Sequence, residues 1–419
     1  MYGQSLKNLV EGHGLVETSC ILNNCLQLGL KDPTHEQALR PDQFSMRELA
    51  EAFMGDEWVK RLSPVYANQM QFRMTARGMD PAETRHLLET GGAVDVTAFS
   101  NITGQILFTK ILEGWQLAEM IGEQIVENVP TVLDGEKLPF ISQPLTEGGK
   151  VHPGLPYEEY GLAEEFINTV PLNTYGAILS IHKLAIFYDR TAQLLKKANN
   201  LGKQLRYNKE RRILNLLVSA SSAPQFNWKN VLYTPFQSAG TYWSNLILQN
   251  PLVDFTAVEI VEIAATKILD PDLQNAGINT PIDIKLDTVI VMPFKKWTAW
   301  RAVNAFEVRG VNLAPTPNIW TISKSPMPEY KVIDSKLLYQ QALAAGATAA
   351  QAQDWWWMMD SKQRPIVYME NWPLQLIPQP PQSTADFERD IVFRLKASER
   401  GEPSWQDPRY IFLSKGPNG

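Results

Sequence analysis

The longest amphipathic stretch of the chain runs from about Thr191 to Val218. At about 100° per residue, Leu194, Ala198, Leu201, Leu205 and Leu216 fall on one stripe. Lys196, Lys203 and Arg211 lie opposite, Lys197 and Arg206 flank them, and Lys209 and Arg212 fall on the apolar stripe itself. A helix of that length reaches ~40 Å at about 1.5 Å per residue. A second helix is expected from Asp95 to Gln124, where Ile102, Ile106, Leu107 and Ile111 sit near helical spacing. Two capping boxes mark further helix starts, because a Ser or Thr can accept from the free N–H groups of the first turn while a Glu three residues on reaches back. Ser45-Met-Arg-Glu48 opens a helix with Leu49, Ala50 and Phe53 that meets Gly55, and Thr256-Ala-Val-Glu259 opens one that stops at Asp270-Pro271.

Strand patterns are shorter. Gly176 to His182 and Thr288 to Met292 read as strands, the second buried and ended by Pro293. Pro365 to Leu376 and Glu388 to Ala397 follow, the latter alternating Ile391, Phe393 and Leu395. A helical run is expected around Trp297 to Phe306, so residues 236–364 read as a compact α/β lobe.

Between 130 and 160 the pattern breaks. Pro130, Pro139, Pro144, Pro153 and Pro156, with Gly135, Gly148, Gly149 and Gly154, leave no room for a helix or a central strand. Extended arms folded back at Thr146 to Lys150 fit better. Leu133, Leu138, Phe140, Ile141, Leu145, Val151 and Leu155 need a surface to bury against, and a neighbouring subunit is the natural one.

Composition changes this picture little. Of 419 residues, 44% are hydrophobic and 20% charged, as in a folded soluble protein. No apolar run approaches the ~20 residues that cross a bilayer, and no secretion signal opens the chain, so cytoplasmic production is expected. The two cysteines, Cys20 and Cys25, form no disulfide framework and no zinc pairing. The net charge of −6 argues against a generally basic nucleic-acid binder, but the charge is sorted along the chain. From Glu113 to Glu165 there are eleven acidic residues against Lys137 and Lys150, and from Thr191 to Ala220 seven basic residues against Glu210.

Catalytic patterns are missing. His13, His35, His86, His152 and His182 are scattered, where a metal site needs clustered ligands. No phosphate-binding glycine loop, nucleophile elbow or dinucleotide fingerprint occurs. Glu158-Glu159 and Glu164-Glu165 read as solvated or interfacial charge. The expectation is therefore no enzyme, no cofactor and no metal. Trp355-Trp356-Trp357 cannot share one face of a strand or helix, so at least one must meet a partner or a second layer, and core plus subunit contact is expected there.

Taken in order, Glu164 to Arg190 running into the long helix, Asp390 to Arg400, Asp407 to Tyr410 and Asn371-Trp-Pro resemble the major capsid proteins of tailed phages and prophages, the Hong Kong 97 type fold, with some likeness to the Mu-like major head subunit. The resemblance covers about 95–419. It implies an α+β fold with a helical N-terminal extension (1–94), an N-terminal arm (95–129), an extended loop (130–165), a peripheral domain with a long spine helix (166–235), an axial domain (236–364) and peripheral return strands (365–419). It also implies a structural protein of the virion, assembled in the host bacterial cytoplasm into an icosahedral shell. Its partners would be further copies of itself in hexamers and pentamers, packaged double-stranded DNA without sequence specificity, and portal, scaffold and decoration proteins, with no membrane. Lys196, Lys197, Lys203, Arg206 and Arg211 are then the residues expected to face nucleic acid. Leu138, Phe140, Ile141, Leu145, Val151 and Leu155 are those expected at the contact between subunits. The alternative is an encapsulin-like nanocompartment shell around a protein cargo.

Overall fold

The computed structural model describes residues 13, 17–18, 20–22, 24–25, 28, 46–54, 93–117, 120–140, 165–182, 185–186, 193–240, 242–270, 280–303, 308–310, 320–322, 330–379 and 391–417. In chain order the helices are Met46–Met54 (α1), Ala93–Leu117 (α2), Gly122–Ile125 (α3), Gln193–Ser219 (α4), Phe255–Ala265 (α5), Lys296–Val303 (α6), Lys336–Ala344 (α7) and Ala349–Asp354 (α8). The strands are Val126–Pro130 (β1), Lys137–Phe140 (β2), Glu165–Asn168 (β3), Thr174–His182 (β4), Phe226–Trp228 (β5), Val231–Tyr233 (β6) and Leu246–Ile247 (β7), then Thr288–Val291 (β8), Val308–Gly310 (β9), Trp320–Ile322 (β10), Lys331–Asp334 (β11), Trp356–Met359 (β12), Ile366–Pro378 (β13), Ile391–Trp405 (β14) and Ile411–Ser414 (β15).

The chain divides into two units. The first comprises 1–119, 174–208 and 373–399, the second 120–173, 209–372 and 400–419. The helix α4 and the strands β13 and β14 each give one part to either unit.

The first unit has its own core. Leu49, Ala50 and Phe53 of α1, Ile106, Leu107 and Ile111 of α2, Leu195 and Ala198 of α4, and Phe393 and Leu395 of β14 are all buried in it. The alternation of Ile391, Phe393 and Leu395 thus faces inward as the period of two requires. The two long helices approach closely where Gly114 and Gly202 lie. A Cβ on Gly114 would stand 2.1 Å from the Asn199 carbonyl oxygen, and one on Gly202 2.1 Å from that of Ile111. Only glycine allows backbones to meet at that distance.

The second unit is built on a five-stranded sheet in the order β11-β8-β12-β15-β7, with β12 antiparallel to both β8 and β15. Every residue of β8, β12 and β15 is buried, the mark of strands covered on both faces. This corrects the expectation for the tryptophan triplet. Trp355, Trp356 and Trp357 all lie in the unit's own core, so no partner is needed to bury them. It also separates the closing segment from the return strands expected over 365–419. Ile411–Ser414 is an unbroken apolar run ending in a buried serine, and it inserts beside Trp356–Met359.

Helix starts differ in detail from the capping-box reading. Asp254, not Thr256, caps α5: its carboxylate accepts from the Thr256 N–H at 3.0 Å, and its backbone is extended at φ −147°. The helix ends at Ala265 rather than at Asp270. A full capping box stands at Thr348 and Gln351, at the start of α8. Ser45 lies outside the described residues.

Candidate assembly interface

In the second unit β2 pairs antiparallel with β3, and the order β2-β3-β5-β6 leaves β2 on an edge. Pro139 lies within β2, an edge strand, in keeping with the expectation that the proline-rich stretch leaves no room for a central one. A proline lacks the donor for a central ladder but is tolerated on an edge. The register Lys137↔Asn168 through Phe140↔Glu165 means that the chain leaves at Phe140 and returns at Glu165 side by side.

The root of this ribbon is held by side chains. Thr169 Oγ1 donates to the Glu136 carbonyl at 2.7 Å, Thr131 Oγ1 donates to the Glu136 carboxylate, and Asn371 Nδ2 donates to the Thr131 carbonyl at 2.8 Å. The Asp134 carboxylate takes the Arg400 Nη2 on both oxygens, at 2.9 and 2.8 Å, and accepts from the Leu172 N–H at 3.3 Å. Gly135 turns the loop at φ +67°, where a Cβ would be strained. On the far side of the ribbon, Lys229 and Asn230 both take positive φ and make the two-residue hairpin of β5 and β6, and Asn168 Nδ2 donates to Asn230 Oδ1 at 2.7 Å.

The residues expected at the contact between subunits fare unevenly. Leu138 is half-buried and packs on its own unit, beside Leu172, Val367 and Met369. Its strand partner Ile167 is fully buried, which fixes that face of the ribbon inward. Phe140 ends β2 at the departure point. Ile141, Leu145, Val151 and Leu155 lie outside the described residues. Val132 and Leu133, by contrast, stand 87% and 67% exposed on the locked loop before β2. Leu133 was legible as an apolar residue in a proline-rich stretch, whereas the exposure of Val132 had no signal in the sequence.

The long basic helix is also uneven. Lys196, Lys197 and Arg211 are exposed and Lys203 is half-buried. Arg206 is a correction: it is buried, with its guanidinium 5.2 Å from the centre of the Trp115 ring in the first unit. A planar, weakly hydrated cation can lie on an indole face, and helical phase alone does not show that a ring is waiting there. The apolar stripe admits two cations in the same way. In the second unit Lys209 is buried with its ammonium 4.1 Å over the Tyr368 ring, and Arg212 Nη1 donates to the Gly401 carbonyl at 2.8 Å.

Among the described residues no three His, Cys, Asp or Glu side chains could hold a metal ion, and no helix is long and apolar enough to cross a membrane. A cavity of about 320 Å³ is bordered by Tyr242, Trp243, Ser244 and Ile268, with Lys267 its one charged lining residue among the described residues. Buried charge in this unit serves the fold. Arg409 chelates Asp407 at 2.8 Å and stands 3.9 Å from Asp270, and these carboxylates oppose the burial that would otherwise weaken its charge.

No protein-family model matches the chain, and no curated protein matches it. Solved structures do show likenesses. One is the mature capsid of bacteriophage PhiM1, at 12% identity and a TM-score of 0.42, covering 72% of this chain and 89% of that one. A second is the capsid of cyanophage P-SCSP1u, at 11% identity and 0.43, covering 72% and 89%. A virus-like particle from Pyrococcus furiosus is similar at 9% identity and 0.40, covering 74% and 98%.

Proposed function

We propose that this chain is a structural shell subunit, the major capsid protein of a tailed phage or prophage, which self-assembles into an icosahedral shell around double-stranded DNA. The observation that carries this reading is the ribbon of β2 and β3. Its register sets the chain's exit at Phe140 beside its return at Glu165. The sequence between them includes Ile141, Leu145, Val151 and Leu155, which need apolar cover. A shell subunit finds such cover on its neighbour, through contacts that must close around a symmetric lattice. The exposed cations of α4 suit a lumen filled with DNA, because phosphate neutralisation is indifferent to base sequence. The virion is the corresponding location, and catalysis has no part in the reading.

Replacing 141–164 by a short glycine turn tests it, since β2, β3 and their locked root remain. Electron microscopy of the purified protein should show closed particles for the unaltered chain and soluble, folded, unassembled subunits for the variant. Normal shells from the variant would remove the arm from assembly. Particles that hold a protein cargo in place of nucleic acid would point to a nanocompartment.

A further inference from the structure

The second unit carries a large apolar surface that the ribbon does not explain. Among the described residues both exposed tryptophans, Trp297 at 71% and Trp300 at 48%, lie one turn apart on α6, and Phe294 just before it is 58% exposed. Next to α6, the helix α5 shows Ile260 and Ile263, each 47% exposed, and Val253 ahead of it is 64% exposed. The inner sides of both helices are ordinary core: Ala257, Val258 and Val261 on α5, Ala299, Ala302 and Val303 on α6. Their outer sides are apolar as well, beyond the part that the core covers. Patches of this kind on soluble proteins mark contact surfaces, and tryptophan is the residue most enriched among contact hot spots.

Charge says what covers it. The outer side of α5 is edged by exposed Glu259 and by Asp254, which caps the helix, and that of α6 by exposed Arg301 and by Lys296, which pairs with Asp334 at 2.8 Å. Two apolar halves with opposite rims suit each other better than either suits a copy of itself, because like charges facing across a contact cost affinity while unlike ones set its register. We infer that this surface binds a second copy of the chain, with the α6 side of one copy laid on the α5 side of the other. The inference deepens the shell reading and takes its occupant from it.

Three variants decide it, all in a Cys20→Ser background because Cys20 is exposed. Glu259→Cys and Arg301→Cys, purified separately and mixed under mild oxidation, should give several-fold more covalent dimer than either variant alone. Trp297→Ser should reduce association about tenfold with unchanged folding, as expected for an exposed hot spot. Glu259→Lys and Arg301→Glu should each weaken association, and the double reversal should restore it. Equal dimer in the mixture and in the separate variants, or no rescue by the double reversal, would overturn the contact. Electron microscopy of the unaltered chain judges the shell reading separately. Particles without the mixed crosslink leave that reading standing and this contact refuted, and a mixed crosslink without particles does the reverse.

Discussion

The Glu210 carboxylate accepts the Gly122 backbone N–H through both of its oxygens, at 3.0 and 2.9 Å, and the Ile121 N–H through one, at 3.1 Å. One buried side chain in the middle of α4 thus satisfies the free donors at the start of α3. Glu210→Ala should lower stability by about 2–4 kcal/mol, since it strands two buried donors. Gly122→Ala should be similarly costly, because its Cβ would stand 2.4 Å from Glu210 Oε2. Urea unfolding of the unaltered chain and these variants checks both, with Glu210→Gln expected between the unaltered chain and Glu210→Ala.

Two neighbouring tryptophans should respond differently to the same change. Trp356 Nε1 donates to the Asn250 carbonyl at 2.9 Å, while Trp357 Nε1 is buried without a partner among the described residues. Trp357→Phe removes an orphaned donor along with some packing, and Trp356→Phe removes a made bond. The Trp356 variant should be the less stable by about 1–2 kcal/mol, as measured by chemical denaturation.

The cations of α4 should divide into two groups. Glutamine at Lys196, Lys203 and Arg211 should leave stability unchanged and flatten the salt dependence of DNA binding by about one unit of slope per lost phosphate contact. Arg206→Gln should do the opposite, lowering the melting temperature and leaving the slope alone, because its guanidinium lies on Trp115. Binding isotherms across a salt series separate the two.

Alkali should weaken the second unit. Burial and the hydrogen bond to the Glu262 carboxylate push the Tyr330 hydroxyl well above its ordinary range, and burial followed by the Asp407 charge raises Tyr410. A group whose pKa is higher folded than unfolded contributes fully below its unfolded pKa, about 10 for tyrosine, and that contribution is lost as pH rises toward the folded value. Stability should therefore fall above about pH 10. Tyr330→Phe should flatten that fall, as followed by melting temperature against pH.

Local pattern made much of this molecule legible. The period of 3.6 marks both ends of α4 and the start of α2 closely, though α2 ends at Leu117 rather than at Gln124, and the alternation of Ile391, Phe393 and Leu395 gives the inward face of β14. What it could not give is which of two covers, a partner or a second layer, buries the tryptophans. Trp355 to Trp357 defy one-faced burial only if one face is available, and the residues of β12 are buried on both of its faces. Arg206 is solvent-facing by helical phase until Trp115 covers it. Asp254 caps α5 because of its extended backbone, which a motif such as Thr256 to Glu259 does not encode. Of the candidate interface, the proline-rich departure was visible in composition. The side-chain lock of Asp134, Thr131 and Asn371 that gives it direction joins residues more than two hundred positions apart.

The position of β15 bears on how the protein is made. It lies between β12 and β7, so the sheet at the centre of the second unit has a gap in its interior until residue 414 has been synthesised. A nascent chain on the ribosome exposes the unsatisfied edges of β12 and β7 until then. Translation itself thus delays completion of this sheet, and a chain released before residue 414 lacks its interior strand.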